Sequence, residues 1–107
     1  MDERMIELKD PEDCTSMAEV RAGVDAVDRA VVALLRRRFG FMDAAARIKP
    51  DRSAVRDEWR KADVLAKVRS EAERLGLPDS DFVANLYEQL VERSIAYELE
   101  RFDRTRG

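Results

Sequence analysis

Apolar residues recur at alternating intervals of three and four from position 17 onward. This stripe comprises Met17, Val20, Val24, Val27, Val31 and Leu34. Such spacing is typical of the apolar face of a long amphipathic helix. Ser16 with Glu19 three residues later forms a capping-box pattern that marks the helix start, and Pro50 marks its end because a proline disfavours helical geometry in the preceding residue. We therefore predict a first helix of about 32 residues, or ~48 Å.

Two further apolar stripes predict two shorter helices. A polar linker at 51–54 precedes the second stripe, and Gly76 is a suitable C-terminal stop. The second stripe comprises Val55, Trp59, Ala62, Leu65, Val68, Ala72 and Leu75. Asp79 or Ser80 is expected to cap the third helix. The third stripe comprises Phe82 or Val83, Leu86, Leu90, Ser94 with Ile95, Glu98 and Phe102.

The composition indicates one soluble, globular, all-α domain. The chain has 107 residues, of which 45% are hydrophobic and 40% are charged, and it contains three prolines. Residues 1–14 show no periodicity and are expected to form a loose N-terminal arm, which leaves 15–107 as a single helical domain. There is no apolar run near the ~18 residues of a membrane span and no leader-like segment, so we expect a cytoplasmic protein.

Composition also excludes several functional classes. A net charge of −3 and a sequence pI near 5.1 argue against nucleic-acid binding, which requires a basic surface. Cys14 is the single cysteine, so an internal disulfide is excluded. The chain has no histidine, so the usual zinc sites and catalytic triads are not available. We expect neither a metal nor a cofactor.

The length of the first helix predicts a homodimer. Two shorter helices cannot cover a helix of ~48 Å, so a single chain would leave much of its apolar stripe in water. A second copy would cover that stripe in a symmetric helical dimer. Arg21 follows Val20, roughly 100° round the helix, where its side chain could reach across to the partner.

Two cations interrupt the first stripe. Its spacing continues at Arg38, Met42, Ala45 and Lys49. A buried cation is costly unless an anion meets it, so the anion must be either an internal carboxylate or a ligand, and no Asp or Glu falls on the stripe after Leu34. We therefore infer that an anionic ligand meets Arg38 and Lys49. The alternative is that Arg38 belongs to a solvated face and that Lys49 extends into solvent near the helix end.

Polar residues also interrupt the apolar side of the third helix. Ser94 and Glu98 are four residues apart and therefore share a face. Either could instead be a tolerated serine or a surface acid. Asp57 and Arg60, near the start of the second helix, could form a local ion pair. The coincidence of these polar residues with Arg38 and Lys49 favours a binding site for an anion.

Several segments together match a known pattern. They are 11–15, 17–21, Asp25, Asp28, 34–38, 44–49 and the spacing onward to Arg60. In these segments the chain resembles the all-helical, AroQ-type chorismate mutases and the related isochorismate-pyruvate lyases, from about Pro11 to the C-terminus. The resemblance implies an intertwined homodimer of three-helix chains with two active sites, each of which takes one arginine from the partner.

The resemblance also implies roles for individual side chains. Arg21 resembles the arginine donated across the dimer, and Arg38 and Arg60 resemble the pair that binds the two substrate carboxylates. Lys49 resembles the lysine that hydrogen-bonds the ether oxygen and a carboxylate. Glu98 occupies the place of a Gln or Glu on the other side of that oxygen.

Three more positions can be compared with the family pattern. Asp57 and Ser94 match secondary substrate contacts. Lys61 departs from the pattern, because many mutases have a glutamate there, near the ring hydroxyl of the substrate. The implied reaction is the rearrangement of the dianion chorismate to prephenate, in aromatic amino acid biosynthesis.

That reaction suits the residues present. A pericyclic rearrangement needs a compact conformer and stabilisation of the charge that grows on the ether oxygen, but no nucleophile. Bidentate arginines suit carboxylates. The alternatives are an isochorismate-pyruvate lyase, an enzyme for an amino-substituted chorismate, and a non-catalytic helical dimerisation module. The sequence 55–57 and Ser94 favour the mutase, because the lyase pattern has a proline in the loop and an aromatic residue on the third helix.

Overall fold

The computed structural model describes residues 8–106, and this part of the chain is all-helical. Its three α-helices are α1 (Met17–Ile48), α2 (Glu58–Arg74) and α3 (Ser80–Arg106). Single 3₁₀ turns lie at Pro11–Asp13 and Arg52–Ala54. The prediction of three helices with a long first helix is confirmed.

The ends of α1 lie where the sequence placed them. The Ser16 hydroxyl accepts a hydrogen bond from the Glu19 backbone N–H at 3.2 Å. The Glu19 carboxylate accepts one from the Thr15 backbone N–H at 2.9 Å, so the capping box forms with the reach-back bond one residue earlier than usual. The ammonium of Lys9, and then the Thr15 N–H, lower the pKa of Glu19 to about 2. α1 ends at Ile48, two residues before Pro50.

The N-terminal arm is more ordered than predicted over its described part. Pro11–Asp13 form one 3₁₀ turn, and the Asp13 N–H donates to the Asp10 carbonyl at 2.9 Å. The proline presets its own φ, which favours such a turn. Residues 1–7 of the predicted arm lie outside the described residues.

The described residues form two compact units, a first unit up to Arg38 and a second unit from Phe39 onward. The first unit leaves its predicted apolar stripe exposed: Met17 is 58% and Leu34 65% exposed. The four valines of the stripe between these two residues are also exposed. An open apolar cavity of about 480 Å³ lies between the segment that begins at Leu8 and this part of α1. A face of this kind is typical of an interaction surface.

The second unit contains the core. Its buried cluster consists of Ala46 from α1, Val55 from the loop, and Val91, Ile95 and Phe102 from α3. Val64 and Leu99 pack against this cluster. The second unit therefore encloses a small apolar core around the middle and C-terminal turns of α3.

The start of α2 differs from the prediction. α2 begins at Glu58, and the Asp57 carboxylate caps it by accepting from the Arg60 N–H at 2.9 Å. Val55 therefore lies in the preceding loop, where it is buried, and does not share a helical face with Trp59. Trp59 is 90% exposed, so its assignment to the apolar stripe was wrong.

The connection from α2 to α3 follows the predicted chemistry. Gly76 has a φ of 72°, and the Leu77 N–H donates to the Ala72 carbonyl at 2.9 Å, which forms a Schellman stop. The Asp79 carboxylate, rather than Ser80, caps α3 by accepting from the Phe82 N–H at 3.0 Å.

The predicted stripe of α3 is partly wrong in the first turns. Phe82 and Leu86 are exposed, whereas Val83, the alternative to Phe82, is half-buried. Ala84, which the stripe omitted, is buried. From Ser94 onward the predicted stripe is buried and therefore correct.

Candidate functional site

α3 brings two polar side chains into the apolar core. Ser94 is 3% exposed and Glu98 4% exposed, one helical turn apart on the face that carries Val91 and Phe102. The prediction that these polar residues interrupt the buried face is confirmed. Burial of a carboxylate is unfavourable unless a cation or donors meet it.

Lys49 supplies that cation. Its backbone N–H still donates to the Ala45 carbonyl at 2.9 Å, so Lys49 sits at the very end of α1. Its ammonium Nζ lies 2.6 Å from Glu98 Oε2 and donates to the Val55 carbonyl at 3.4 Å. The alternative in which Lys49 only extends into solvent is therefore wrong, because the side chain turns inward. The inference that a ligand supplies the anion for Lys49 is also corrected, because the internal carboxylate of Glu98 meets it.

The side chains of Lys49 and Glu98 differ in their exposure to solvent. The Glu98 side chain is 5% exposed, whereas that of Lys49 is 28% exposed. An ammonium has three N–H donors, and within the described residues Lys49 directs two of them to Glu98 and Val55. The third is available to an oxygen that approaches from the exposed side.

Ser94 points along its own helix. Its hydroxyl donates to the Leu90 carbonyl at 2.6 Å, a common bond of a helical serine to the residue four positions earlier. This bond explains how a serine is accommodated on the buried face. A contact between Ser94 and a substrate remains a prediction.

Asp57 and Arg60 take different roles from the local ion pair considered above. Asp57 is the N-cap of α2, and the Arg60 guanidinium pairs instead with Asp63 at 2.7 Å. The carboxylate of Asp63 also lies 3.0 Å from Lys67. Lys67 and then Arg60 lower the pKa of Asp63. Arg60 is exposed in this arrangement, so its side chain is accessible to an anion.

Arg21 and Arg38 belong to the first unit, whereas Lys49 and Glu98 belong to the second. Arg21 is exposed on α1. Arg38 is half-buried, which disagrees with a fully solvated face for that side chain. Their contacts with a substrate, and that of Arg21 across a dimer, remain predictions.

Lys61 has two acidic partners that the sequence patterns did not predict. The Lys61 ammonium lies 2.6 Å from Glu88 and 2.8 Å from Glu92 on α3, and Arg56 pairs with Glu92 at 2.7 Å. Arg56 first, and then Lys61, lower the pKa of Glu92 to about 2, while Glu88 and Glu92 raise the pKa of Lys61. Glu88 and Glu92 are four residues apart and share a face of α3, and this spacing was the sequence signal for an acidic site that binds a cation.

A second group of side-chain contacts, also not predicted from the sequence, holds α3 against the end of α1. The Tyr97 hydroxyl donates to Asp43 at 2.7 Å, and Arg101 lies 3.0 Å from the same carboxylate. The Tyr97 ring meets Phe39 edge-on at 5.0 Å. These contacts flank Glu98 and restrain the turn of α3 that carries it.

The arrangement suits recognition of a small anion. A cation at the end of α1 meets a buried acid on α3 and retains a donor for a ligand oxygen. Residues 20–99, which include both side chains, match the sequence model of the family described as chorismate mutase type II. The chain belongs to this family. Membership confirms the resemblance found in the sequence and supports an enzyme of the chorismate mutase type.

A curated relative lies in the same family. The chain is 36% identical over 100 residues to an isochorismate pyruvate lyase from Pseudomonas aeruginosa, a match that covers 94% of this chain and 98% of the relative. Similarity therefore extends over nearly all of both chains. Within residues 8–106, no helix is both long and apolar enough to cross a membrane.

Proposed function

We propose that this member of the family is a chorismate mutase, which rearranges chorismate to prephenate. The observation that carries the proposal is the contact of 2.6 Å between Lys49 and the buried Glu98. As the C–O bond of the enolpyruvyl ether breaks, negative charge grows on the ether oxygen. An ammonium fixed at that oxygen stabilises the transition state more than the ground state, which is the requirement for catalysis.

The remaining cations bind the substrate and fold it. Arg38 and Arg60 bind its two carboxylates, which holds the compact conformer that the pericyclic step requires. Arg60 is paired with Asp63 at an exposed site, and such a pair contributes about 0–1 kcal/mol, so a carboxylate can replace Asp63 at little cost. Asp57 and Ser94 make secondary contacts.

Arg21 completes the site of a partner chain in a homodimer. The support for the dimer is the exposed apolar stripe of α1, in which Leu34 is 65% exposed. A symmetric pairing of two such stripes buries both of them and brings each Arg21 against the other chain.

Isochorismate pyruvate lyase activity is the second candidate, favoured by the relative of that name. Conversion of isochorismate to salicylate and pyruvate also breaks the enolpyruvyl ether bond, so the same cations would serve. Val55, Arg56, Asp57 and Ser94 resemble the mutase version, which places the mutase first.

One assay separates the candidates. Purified protein is incubated with chorismate and, separately, with isochorismate, and prephenate, salicylate and pyruvate are quantified. The proposal expects prephenate from chorismate with a higher kcat/KM than salicylate from isochorismate. The reverse order would identify a lyase. Turnover of neither, with no shift of the melting temperature by either compound, would indicate a non-catalytic dimerisation module.

A further inference from the structure

The last turn of α3 binds the end of α1. Nη2 of Arg106 donates to the Arg47 carbonyl at 3.1 Å and to the Lys49 carbonyl at 2.9 Å. Carbonyls in the last turn of a helix have no partner within that helix. The guanidinium satisfies two carbonyls there, and its positive charge complements the negative end of the α1 dipole.

The guanidinium is itself held in place. Its central carbon lies 3.9 Å from the centre of the Phe102 ring, one turn earlier on α3, and Phe102 belongs to the buried core. A planar guanidinium stacked on a ring keeps a fixed direction for its N–H groups. Arg106 therefore connects the core to the backbone at Lys49.

A second contact reaches the same loop. Arg52 Nε lies 3.0 Å from Asp103, but both side chains are more than half exposed, so this ion pair contributes little. The bond from Arg106 to the backbone carbonyl of Lys49 is the more direct restraint. Together with the bond from Lys49 Nζ to the Val55 carbonyl, it fixes Lys49 at both its backbone and its ammonium.

We propose that Arg106 is a positioning residue, which acts through Lys49 by holding the backbone at the end of α1 so that the ammonium stays aligned with Glu98. This proposal rests on the proposed function in one respect, that Lys49 is the catalytic cation. Misplacement of a reacting group by about 1 Å can lower the rate roughly 10²-fold, so a restraint on its backbone affects kcat.

The chain offers a matched control. Arg104 lies one half-turn before Arg106 and is also exposed, but it pairs with Glu100 on α3 at 2.7 Å. Arg106→Ala and Arg104→Ala therefore remove the same charge from the same helix end, and only the first removes the bonds to α1. Because both side chains are exposed, neither change opens a cavity.

Two measurements on the full-length protein test the proposal. Amide hydrogen exchange over residues 49–55 should accelerate at least ~10-fold in Arg106→Ala and remain at the wild-type rate in Arg104→Ala. Arg106→Ala should lower kcat roughly 10-fold or more with a smaller change in KM, whereas Arg104→Ala should change neither. Arg106→Lys, which restores a donor without the planar fork, should give intermediate values.

The double variant Lys49→Ala/Arg106→Ala decides whether the effect passes through Lys49. A positioning role predicts that Arg106→Ala lowers kcat no further once Lys49 is gone. An unchanged exchange rate at 49–55 in Arg106→Ala, or an equal loss of kcat in the Lys49→Ala background, would overturn it. If Arg106→Ala does not fold, Arg106→Lys serves for both comparisons. If the wild type turns over no substrate, the proposed function fails while hydrogen exchange still tests the restraint.

Discussion

Lys49 and Glu98, which are 49 positions apart in the sequence, meet at 2.6 Å between Nζ and Oε2. Removal of one partner from a buried ion pair typically costs about 3–5 kcal/mol, whereas well-packed apolar residues at both positions are often as stable. A carboxylate that is 5% exposed is therefore poorly explained by stability alone. A site that must stabilise charge on a substrate gives a reason for both residues.

Glu98 should contribute to catalysis through its contact with Lys49. Its carboxylate accepts from the Lys49 ammonium at 2.6 Å and so fixes the direction of the ammonium. Glu98→Gln keeps an oxygen that can accept from the Lys49 ammonium and adds an N–H donor for the ether oxygen, whereas Glu98→Ala has neither group. We therefore expect Glu98→Ala to lower kcat/KM with chorismate and Glu98→Gln to retain most of the wild-type value. Steady-state kinetics of the three proteins at one pH provide the comparison.

Two results would contradict this role for Glu98. One is a Glu98→Ala protein with the kcat/KM of the wild type. The other is a Glu98→Gln protein that is no more active than Glu98→Ala.

Glu92 should make stability depend on pH in the acidic range. Arg56 first and then Lys61 hold its folded-state pKa at about 2, below the ordinary 4.5. Its contribution is therefore complete above about 4.5 and is lost as the pH falls towards about 2. Urea unfolding at a series of pH values measures this effect. As the pH falls, the free energy of unfolding should decrease less in Glu92→Gln than in the wild type. Glu73→Gln, which changes an exposed acid on α2, is the control. If Glu92→Gln loses as much stability between about pH 4.5 and 2 as the wild type does, Glu92 is not the source of the pH dependence.

The sequence predicted the elements whose ends depend on local chemistry. Ser16 with Glu19 and Gly76 form the caps that their residue types favour. The burial of Ser94 and Glu98 also followed from helical periodicity, because the stripe of α3 is long enough to fix its phase. Local patterns of this kind depend on residues within one or two turns.

The failures share a physical cause. Trp59 and Phe82 lie in the first turns of their helices, where few neighbouring positions indicate which face packs against the rest of the chain. The bond of Arg106 to the Lys49 carbonyl spans 57 positions and leaves no periodic signal. Pairings of this kind are determined by tertiary packing, which one sequence does not reveal.

Shared active sites in a homodimer should be detectable by complementation. A mixture of Arg21→Ala chains with Lys49→Ala chains forms heterodimers in which one site has an intact Lys49 and an intact Arg21 from the partner. We expect activity to recover after subunit exchange, whereas each variant treated alone stays inactive. Exchange is verified with differently tagged chains. Mixed dimers that form without regaining activity would show that the sites are not shared.

The most direct test of the account is the kcat of Lys49→Ala with chorismate at saturation. Loss of one donor to a developing oxyanion lowers kcat by about 10²–10³-fold, so we predict a decrease of at least ~10²-fold. Lys67→Ala, which removes an exposed lysine paired with Asp63, is the control and should retain the wild-type rate. A Lys49→Ala protein that keeps a near-normal kcat and shows only a raised KM would contradict the assignment of Lys49 to the breaking bond.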